Sequence, residues 1–260
     1  LLDLSPRIVS PPRSARVEPV RGAIDFRQVW FAYEGEAWVL SDCSFRVAPG
    51  ERVALVGATG EGKTTIARIL NRSYDVSQGQ LLVDGVDVRE WDLATLRRTV
   101  GLIPQDVFLF TGTVEANLKL GADGVVPPEV IERAVTMANA RAFIEALPDG
   151  YRQLLRERGA NLSQGQRQLL AIACALVYNP AVLVLDEATS SVDPESEALI
   201  QEAMGRLLAG RTSVIIAHRL STIKMADRIL VLHKGQVREE GSHADLLRRG
   251  GLYARLYELQ

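Results

Sequence analysis

The residues from Gly57 to Thr64 constrain the fold more than any other part of the chain. They read Gly-Ala-Thr-Gly-Glu-Gly-Lys-Thr, follow the apolar run Arg52–Val56 and open the helix-like run Lys63–Leu70. Glycines let backbone amides turn toward one point, and a helix N-terminus adds partial positive charge there. The spacing is that of a phosphate-binding loop. The segment therefore predicts a strand–loop–helix unit that binds the phosphates of a nucleotide.

Most residues of this phosphate loop have a predicted contact. The ammonium of Lys63 is expected to reach the β- and γ-phosphates and to take part in catalysis, and the hydroxyl of Thr64 is expected to ligate Mg²⁺. The predicted nucleotide contacts of the loop are Gly57, Thr59, Gly60, Gly62, Lys63, Thr64 and Thr65.

Two adjacent carboxylates follow a second apolar run. Asp186 and Glu187 come directly after Val182–Leu185. Where a covered parallel sheet opens at the carboxyl ends of its strands, such side chains face a ligand. Asp186 is expected to hold Mg²⁺ through water and Glu187 to act as the general base on the attacking water. The alternative for Glu187 is a cap of the following turn.

Two further side chains are candidates for the same site. His218 follows the run Val214–Ala217 in the same strand-end position, from which its imidazole could touch the γ-phosphate. Gln105, after Pro104, offers an amide that can meet Mg²⁺ or the attacking water. For either residue alone, an ordinary structural hydrogen bond would be the simpler interpretation.

Composition excludes several classes of protein. The chain has 260 residues, 47% of them hydrophobic, and a formal net charge of −2. It contains no basic block, so neither nucleic acid nor a polybasic membrane contact is expected. The longest apolar stretch, 169–185, is interrupted by Asn179-Pro180, so the chain itself is expected to be soluble. Cys43 and Cys174 lack metal-ligand spacing, and no disulfide is predicted.

The pattern along the chain predicts an α/β fold with a parallel sheet. Residues 1–22 are rich in proline, serine and arginine, which is typical of a linker and not of a packed element. Short strand-like runs at 24–31 and 39–47 precede the phosphate loop, and a mostly helical region covers about 106–178. Strand patterns then return at 182–185, 214–217 and 229–232.

Residues 162–166, which we call the signature, read Leu-Ser-Gln-Gly-Gln. The Ser163 hydroxyl and the Gly165 amide lie at the start of a predicted helix, where a γ-phosphate could bind. A plain N-cap by Asn161 or Ser163 is the alternative. With the phosphate loop, the Asp186-Glu187 strand and His218 in this order, the chain resembles the nucleotide-binding domain of an ABC transporter over residues 23–260.

The resemblance implies a fold and a set of contacts. The fold is a P-loop NTPase (RecA-like) core with a parallel sheet, an N-terminal antiparallel β subdomain and a helical signature subdomain. Tyr33 would stack on adenine, although hairpin packing is its simpler interpretation, Gln105 would form the Q-loop, and residues 191–193 the D-loop. In this family Ser163, Gly165 and Gln166 serve the nucleotide of a neighbouring domain, so a dimer is implied.

Within the family, three segments are similar to exporters: Phe108–Val114, Glu157–Gly159 and the linker-like residues 1–22. They imply a transmembrane domain preceding this one in the same protein, a full-length protein in the inner or plasma membrane, and this domain on its cytoplasmic face. Glu157–Gly159 would contact the coupling helices of that domain; an exposed charged turn is the alternative. Gln164 departs from the commoner glycine and is similar to one subunit of heterodimeric exporters, which implies a non-identical sister subunit.

The resemblance implies ATP hydrolysis, with ATP and Mg²⁺ as cofactors, that powers export through a head-to-tail dimer around two ATP molecules. One alternative is a soluble ABC ATPase acting on nucleic acid or ribosomes, which would need a coiled-coil insertion or a second ATPase domain in the chain. The other is a regulatory module that binds nucleotide without hydrolysis. The presence of Lys63, Asp186, Glu187 and His218 argues against that module.

Overall fold

The computed structural model describes residues 6, 8–15, 17–104, 107–120, 122, 124–186, 193–217 and 220–258. The chain divides into two compact units, each treated by itself below. Unit 1 comprises Leu1–Leu102, Ala181–Glu187 and Arg211–Gln260, and unit 2 comprises Ile103–Pro180 and Ala188–Gly210.

The strands and helices follow one another in an α/β pattern. The strands are β1 Ile24–Ala32, β2 Trp38–Val47, β3 Arg52–Val56, β4 Gln78–Val83, β5 Val86–Asp87, β6 Val100–Ile103, β7 Gly112–Thr113, β8 Leu154–Leu155, β9 Val182–Asp186, β10 Thr212–Ile216, β11 Arg228–His233 and β12 Gln236–Gly241. The helices are α1 Lys63–Leu70, α2 Leu93–Thr99, α3 Val114–Leu118, α4 Pro128–Met137, α5 Arg141–Glu145, α6 Gln164–Tyr178, α7 Pro194–Leu208, α8 Leu220–Ile223, α9 His243–Arg249 and α10 Leu252–Glu258.

A six-stranded sheet is the centre of unit 1, in the order β12-β11-β3-β10-β9-β6. Strand β3 pairs in parallel with β10 and β11, and β10 pairs in parallel with β9. The side chains of β10 are all buried, as are those of β9 up to its last residue and those of β3 after its first. Such continuous apolar runs are expected where both faces of a parallel sheet are covered. Parallel pairing places the carboxyl ends of β3, β9 and β10 at one edge.

An antiparallel sheet in the order β2-β1-β4-β5 completes the strand framework of unit 1. Its inward residues alternate with exposed ones, and the rings of Phe26 and Phe45 stack with centroids 4.3 Å apart. One apolar core joins this sheet, helix α1 and the six-stranded sheet. This shared core supports the phosphate loop, because the loop lies between β3 and α1.

Unit 2 is mainly helical. Helix α6 packs against α3, α4 and α7, and the short strands β7 and β8 pair antiparallel beside α3. Pro127 and Asp193 precede α4 and α7, and the Asp193 side chain accepts a hydrogen bond from the Ser196 amide, 2.9 Å away, so α7 begins with a conventional N-cap. In the part of the chain that the structure describes, none of the helices has the length and hydrophobicity of a membrane span.

The fold class predicted from the sequence is confirmed: a P-loop core with a parallel sheet, an antiparallel β sheet and a helical part. The elements that the patterns did not predict are short or carry few apolar residues, such as α2, α9 and the charged edge strand β12. The domain boundaries and the helical subdomain at about 106–178 remain predictions.

Residues 8–15 and 17–22 differ from the expectation of an unpacked tether. Val17 and Val20 pack against the core, and the Ala15 amide donates to the Glu90 carbonyl over 2.8 Å. The Asp84 carboxylate accepts hydrogen bonds of 2.8–3.0 Å from the backbone amides of residues 21–23. These contacts come from partners more than sixty positions away, which explains why composition alone did not indicate them.

Candidate nucleotide site

The phosphate loop takes its shape from glycines. Gly60 and Gly62 have φ angles of 89° and 96°, which L residues with side chains rarely adopt. A Cβ on Gly62 would meet Leu40 Cδ2 at 2.7 Å, and one on Gly57 would meet the Leu232 carbonyl oxygen at 2.6 Å. The loop is therefore packed closely on β2 and the end of β11, and a glycine-rich backbone of this kind can form an anion-binding concavity.

Lys63 is buried and closes this loop from inside. Its ammonium donates hydrogen bonds to the carbonyl oxygens of Gly57 and Ala58 over 2.7 and 2.8 Å. Desolvation lowers the pKa of Lys63, and the negative charges of Asp186 and Glu61 oppose that effect. Lys63 thus lies at the N-terminus of α1, and its ammonium is bound to two carbonyl oxygens that a phosphate oxygen could replace.

Asp186 ends β9 at the same edge of the sheet. Its Oδ1 atom is buried and has no hydrogen-bond partner among the described residues. An unsatisfied carboxylate oxygen of this kind is costly unless a ligand completes it. Together with the exposed hydroxyl of Thr64, it offers the oxygen ligands that Mg²⁺ prefers, so the described residues fit that ion.

The position of Tyr33 is compatible with both roles that the sequence left open, packing against neighbouring side chains and stacking on adenine. Its ring packs edge to face with Phe31 and Tyr74, at centroid distances of 4.9 and 5.1 Å, yet the residue remains 42% exposed. Its hydroxyl lies 3.1 Å from Thr65 Oγ1 and accepts a hydrogen bond from Arg68 over 3.3 Å. The ring is therefore held beside the first turn of α1 with part of its surface open to a ligand.

In unit 2, the signature begins helix α6. The Ser163 hydroxyl accepts from the Gln166 amide over 3.2 Å, and Gln166 Oε1 accepts from the Ser163 amide over 2.9 Å, which forms a capping box. Gly165 is buried, and Ser163 is exposed. The cap expected as the plain alternative is present, and it leaves the Ser163 hydroxyl proton free of that bond.

Three predicted catalytic residues, Gln105, Glu187 and His218, lie outside the described residues, as do Ser191 and Val192 of the predicted D-loop. Of the remaining predicted residues, unit 1 brings together Tyr33, the phosphate loop and Asp186. Unit 2 brings together Ser163, Gly165 and Gln166.

An open groove of about 510 Å³ lies in unit 2, beside the signature. Its lining includes Phe108, Arg158 and Gln164. Pairing of β7 with β8 joins the segment after Phe108 to the segment before Arg158, so two of the three exporter-like segments meet here. Gln164 borders the groove while Gly165 remains buried, so the longer side chain is accommodated without filling the place of the glycine.

Sequence reasoning missed three residues that shape these sites. The buried Asn117 side chain holds the Phe108–Phe110 loop through hydrogen bonds with the Phe110 amide, Phe110 carbonyl and Thr113 carbonyl, at 2.9–3.0 Å. Arg68 contacts Tyr33, and Glu61 contacts the turn after β11. An asparagine in a five-residue helix gives no periodic signal, whereas Glu61 was visible as an acidic residue inside a phosphate loop.

Comparison with known proteins identifies the family. The family described as ABC transporter matches residues 40–190, more than half of the chain. The chain belongs to the ABC transporter family.

Relatives of this ABC domain align with all or nearly all of its length. It is 46% identical over 249 residues to the uncharacterized ABC transporter ATP-binding protein YfiC of Bacillus subtilis, covering 95% of this chain and 41% of YfiC. It is 46% identical over 260 residues to an ATP-dependent lipid A-core flippase of Syntrophus aciditrophicus, covering 100% of this chain and 43% of the flippase.

A solved structure of a bacterial Atm1-family ABC exporter with ATP bound matches with a TM-score of 0.91 and 42% identity, covering 100% of this chain and 45% of the exporter chain. The ABC domain thus spans less than half the length of these relatives. The predicted family is confirmed, and so is the prediction of an ATPase: the chain is an ABC ATPase domain and ATP is its ligand. The roles of individual residues stay predictions.

The capping box gives a test of the signature as a helix N-terminus. We expect Ser163→Ala to lower the free energy of unfolding by about 1 kcal/mol, because the Gln166 amide loses its acceptor. Ser163→Thr keeps a hydroxyl at the N-cap and should retain most of that stability. Urea unfolding followed by circular dichroism measures both; an alanine variant as stable as the threonine variant would show that the hydroxyl does not cap α6.

Proposed function

We propose that this ABC domain hydrolyses ATP to drive export across a membrane, pairing head to tail with a second ABC domain around two ATP molecules. The observation that carries the proposal is the edge of the parallel sheet where the Lys63 ammonium closes the phosphate loop and Asp186 presents an unsatisfied buried oxygen. A nucleoside triphosphate bound there would accept from the Lys63 ammonium, and Mg²⁺ with its water would satisfy the Asp186 oxygen. The relatives named as an ATP-dependent flippase and an ABC exporter support the direction of transport.

When ATP binds, the Lys63 ammonium exchanges one set of hydrogen-bond acceptors for another. The Lys63 ammonium leaves the carbonyls of Gly57 and Ala58 for the β- and γ-phosphate oxygens, which carry full charge and make the stronger hydrogen bonds. The amides of Gly57, Thr59, Gly60 and Gly62 and those at the start of α1, Thr64 and Thr65, contact the phosphates. Tyr33 stacks on adenine from its position beside Thr65.

The Thr64 hydroxyl, the Gln105 amide and Asp186 are the residues that would hold Mg²⁺, Asp186 through water. The ion, when bound, neutralises charge on the phosphate oxygens. Glu187 follows Asp186 at the end of β9 and acts as general base on the attacking water. His218 contacts the γ-phosphate, and Gln105 also orients the water.

The signature provides the reason for pairing. The Ser163 hydroxyl accepts from Gln166, so its own proton can be donated to a γ-phosphate oxygen, and the start of a 15-residue helix favours negative charge. We assign Ser163, the Gly165 amide and Gln166 to the nucleotide of the second domain. ATP then joins the two domains, and hydrolysis releases them.

The membrane partner is a transmembrane domain that precedes this chain in the full-length protein, with residues 1–22 as the connection. That protein resides in the inner or plasma membrane and presents this domain on the cytoplasmic face. The groove between Phe108 and Arg158 suits a coupling helix, because Phe108 is 51% exposed beside a cationic side chain. Movement of the paired ABC domains is thereby transmitted to the membrane domain.

Steady-state phosphate release from the full-length transporter tests the catalytic assignment. Glu187→Gln should reduce the turnover rate by roughly 10²- to 10⁴-fold while ATP still binds, because the general base is lost. Lys63→Ala should abolish binding. Glu129→Gln, an exposed carboxylate at the start of α4, is the matched control and should leave both unchanged. Full turnover in Glu187→Gln would contradict the assigned base.

The Gln164 signature leads us to propose that the second domain is a non-identical sister subunit. With ATP and Mg²⁺, the Glu187→Gln chain should dimerise tightly with a sister ABC chain and weakly with itself. Analytical ultracentrifugation of each chain alone and of the mixture measures this. A tight homodimer that an added sister does not replace would contradict the heterodimer.

A further inference from the structure

Glu61 is an acidic side chain inside a loop whose role is to attract phosphate. It lies between Gly60 and Gly62, the two glycines of the loop whose φ angles are in the left-handed region. Its Oε1 atom lies 3.1 Å from Nδ1 of His233, and its Oε2 atom accepts a short hydrogen bond from the Lys234 amide. The Glu61 side chain is 16% exposed and that of His233 42%. The carboxylate is therefore attached to the turn between β11 and β12.

That turn is itself fastened to β2. The Ser41 amide donates to the Gly235 carbonyl, and the Ser41 hydroxyl donates to the Lys234 carbonyl, both over 3.2 Å. A Cβ on Gly235 would lie 2.5 Å from the Val39 carbonyl oxygen, so only glycine permits the approach. The turn is thus a firm support for whatever is attached to it.

The phosphate loop has an internal and an external attachment. The internal one is the Lys63 ammonium on the carbonyls of Gly57 and Ala58, which ATP would displace. The external one, from Glu61 to the turn, faces a different set of groups and does not compete with phosphate. When Lys63 moves to the nucleotide, the Glu61 side chain still attaches the loop to the turn.

We propose that Glu61 is a positioning residue for ATP: by its hydrogen bonds to His233 and Lys234 it keeps the phosphate loop in its binding shape after Lys63 is released. The inference rests on the proposed role of Lys63 at the phosphates. This role of Glu61 also explains why a negatively charged side chain can lie in a loop that binds the phosphates of ATP. An unattached Glu61 could swing toward the phosphates and repel them, whereas its partners hold the charge at the turn.

Isothermal titration calorimetry of ATP with this chain tests the proposal. Glu61→Ala should raise the Kd for ATP roughly tenfold, which corresponds to about 1.4 kcal/mol. Glu61→Gln keeps an oxygen for the Lys234 amide and a group that can bond His233, so its Kd should stay within about twofold of the parent. Glu90→Ala, an exposed carboxylate of the same unit, is the matched control and should bind like the parent.

A double-mutant cycle with His233→Ala shows whether the two side chains act as a pair. If they do, His233→Ala should weaken binding in the parent and add nothing in Glu61→Ala. Additive losses, an unchanged Kd in Glu61→Ala, or a Glu61→Gln variant as weak as Glu61→Ala would each overturn the proposal. So would a Glu61→Ala chain with a lower Tm but the parent Kd, the result of a merely structural contact.

Lys63→Ala separates this inference from the function on which it rests. If Lys63→Ala binds ATP as tightly as the parent, the phosphate site itself is wrong. If Lys63→Ala abolishes binding and Glu61→Ala leaves it unchanged, only the role of Glu61 is wrong.

Discussion

Parallel pairing of β3 with β10 on one side and β11 on the other is the interaction on which the structure depends. Hydrogen bonds and burial on both faces fix the end of β3, and the phosphate loop starts where that strand stops. The same pairing brings the carboxyl end of β9, with Asp186, to the edge where α1 begins. Because the loop is packed on Leu232 and Leu40, the energy that holds the site comes from the core and not from the ligand.

Sequence patterns predicted those parts whose signal is local. The bounds of β3 and α1 match the runs Arg52–Val56 and Lys63–Leu70, which lie on either side of the glycines of the phosphate loop. The contacts that support the loop could not be predicted in this way. Glu61 and His233 are 172 positions apart, and neither forms part of a periodic pattern. The same reason applies to the amides of residues 21–23, whose acceptor, Asp84, lies more than sixty positions further along the chain.

The two candidate anion sites, one in each unit, both lie at the N-terminus of a helix. In unit 1 the phosphate loop leads into the start of α1, and in unit 2 a capping box forms the start of α6. Gly62 precedes α1 because its φ is 96° and a Cβ there would meet Leu40, and Ser163 precedes α6 because its hydroxyl caps the Gln166 amide. A domain with one site of each kind has the parts for two nucleotides, which is the physical basis of the proposed pairing.

We propose that Lys63 exchanges backbone carbonyls for phosphate while the loop keeps its shape. A crystal structure of this chain with ATP and Mg²⁺ would show this exchange. We expect the Lys63 Nζ atom within hydrogen-bond distance of the β- and γ-phosphate oxygens and no longer bonded to Gly57 and Ala58, with the Glu61 carboxylate still on the Lys234 amide. A nucleotide bound elsewhere, or a Lys63 that keeps both carbonyls in the presence of ATP, would contradict it.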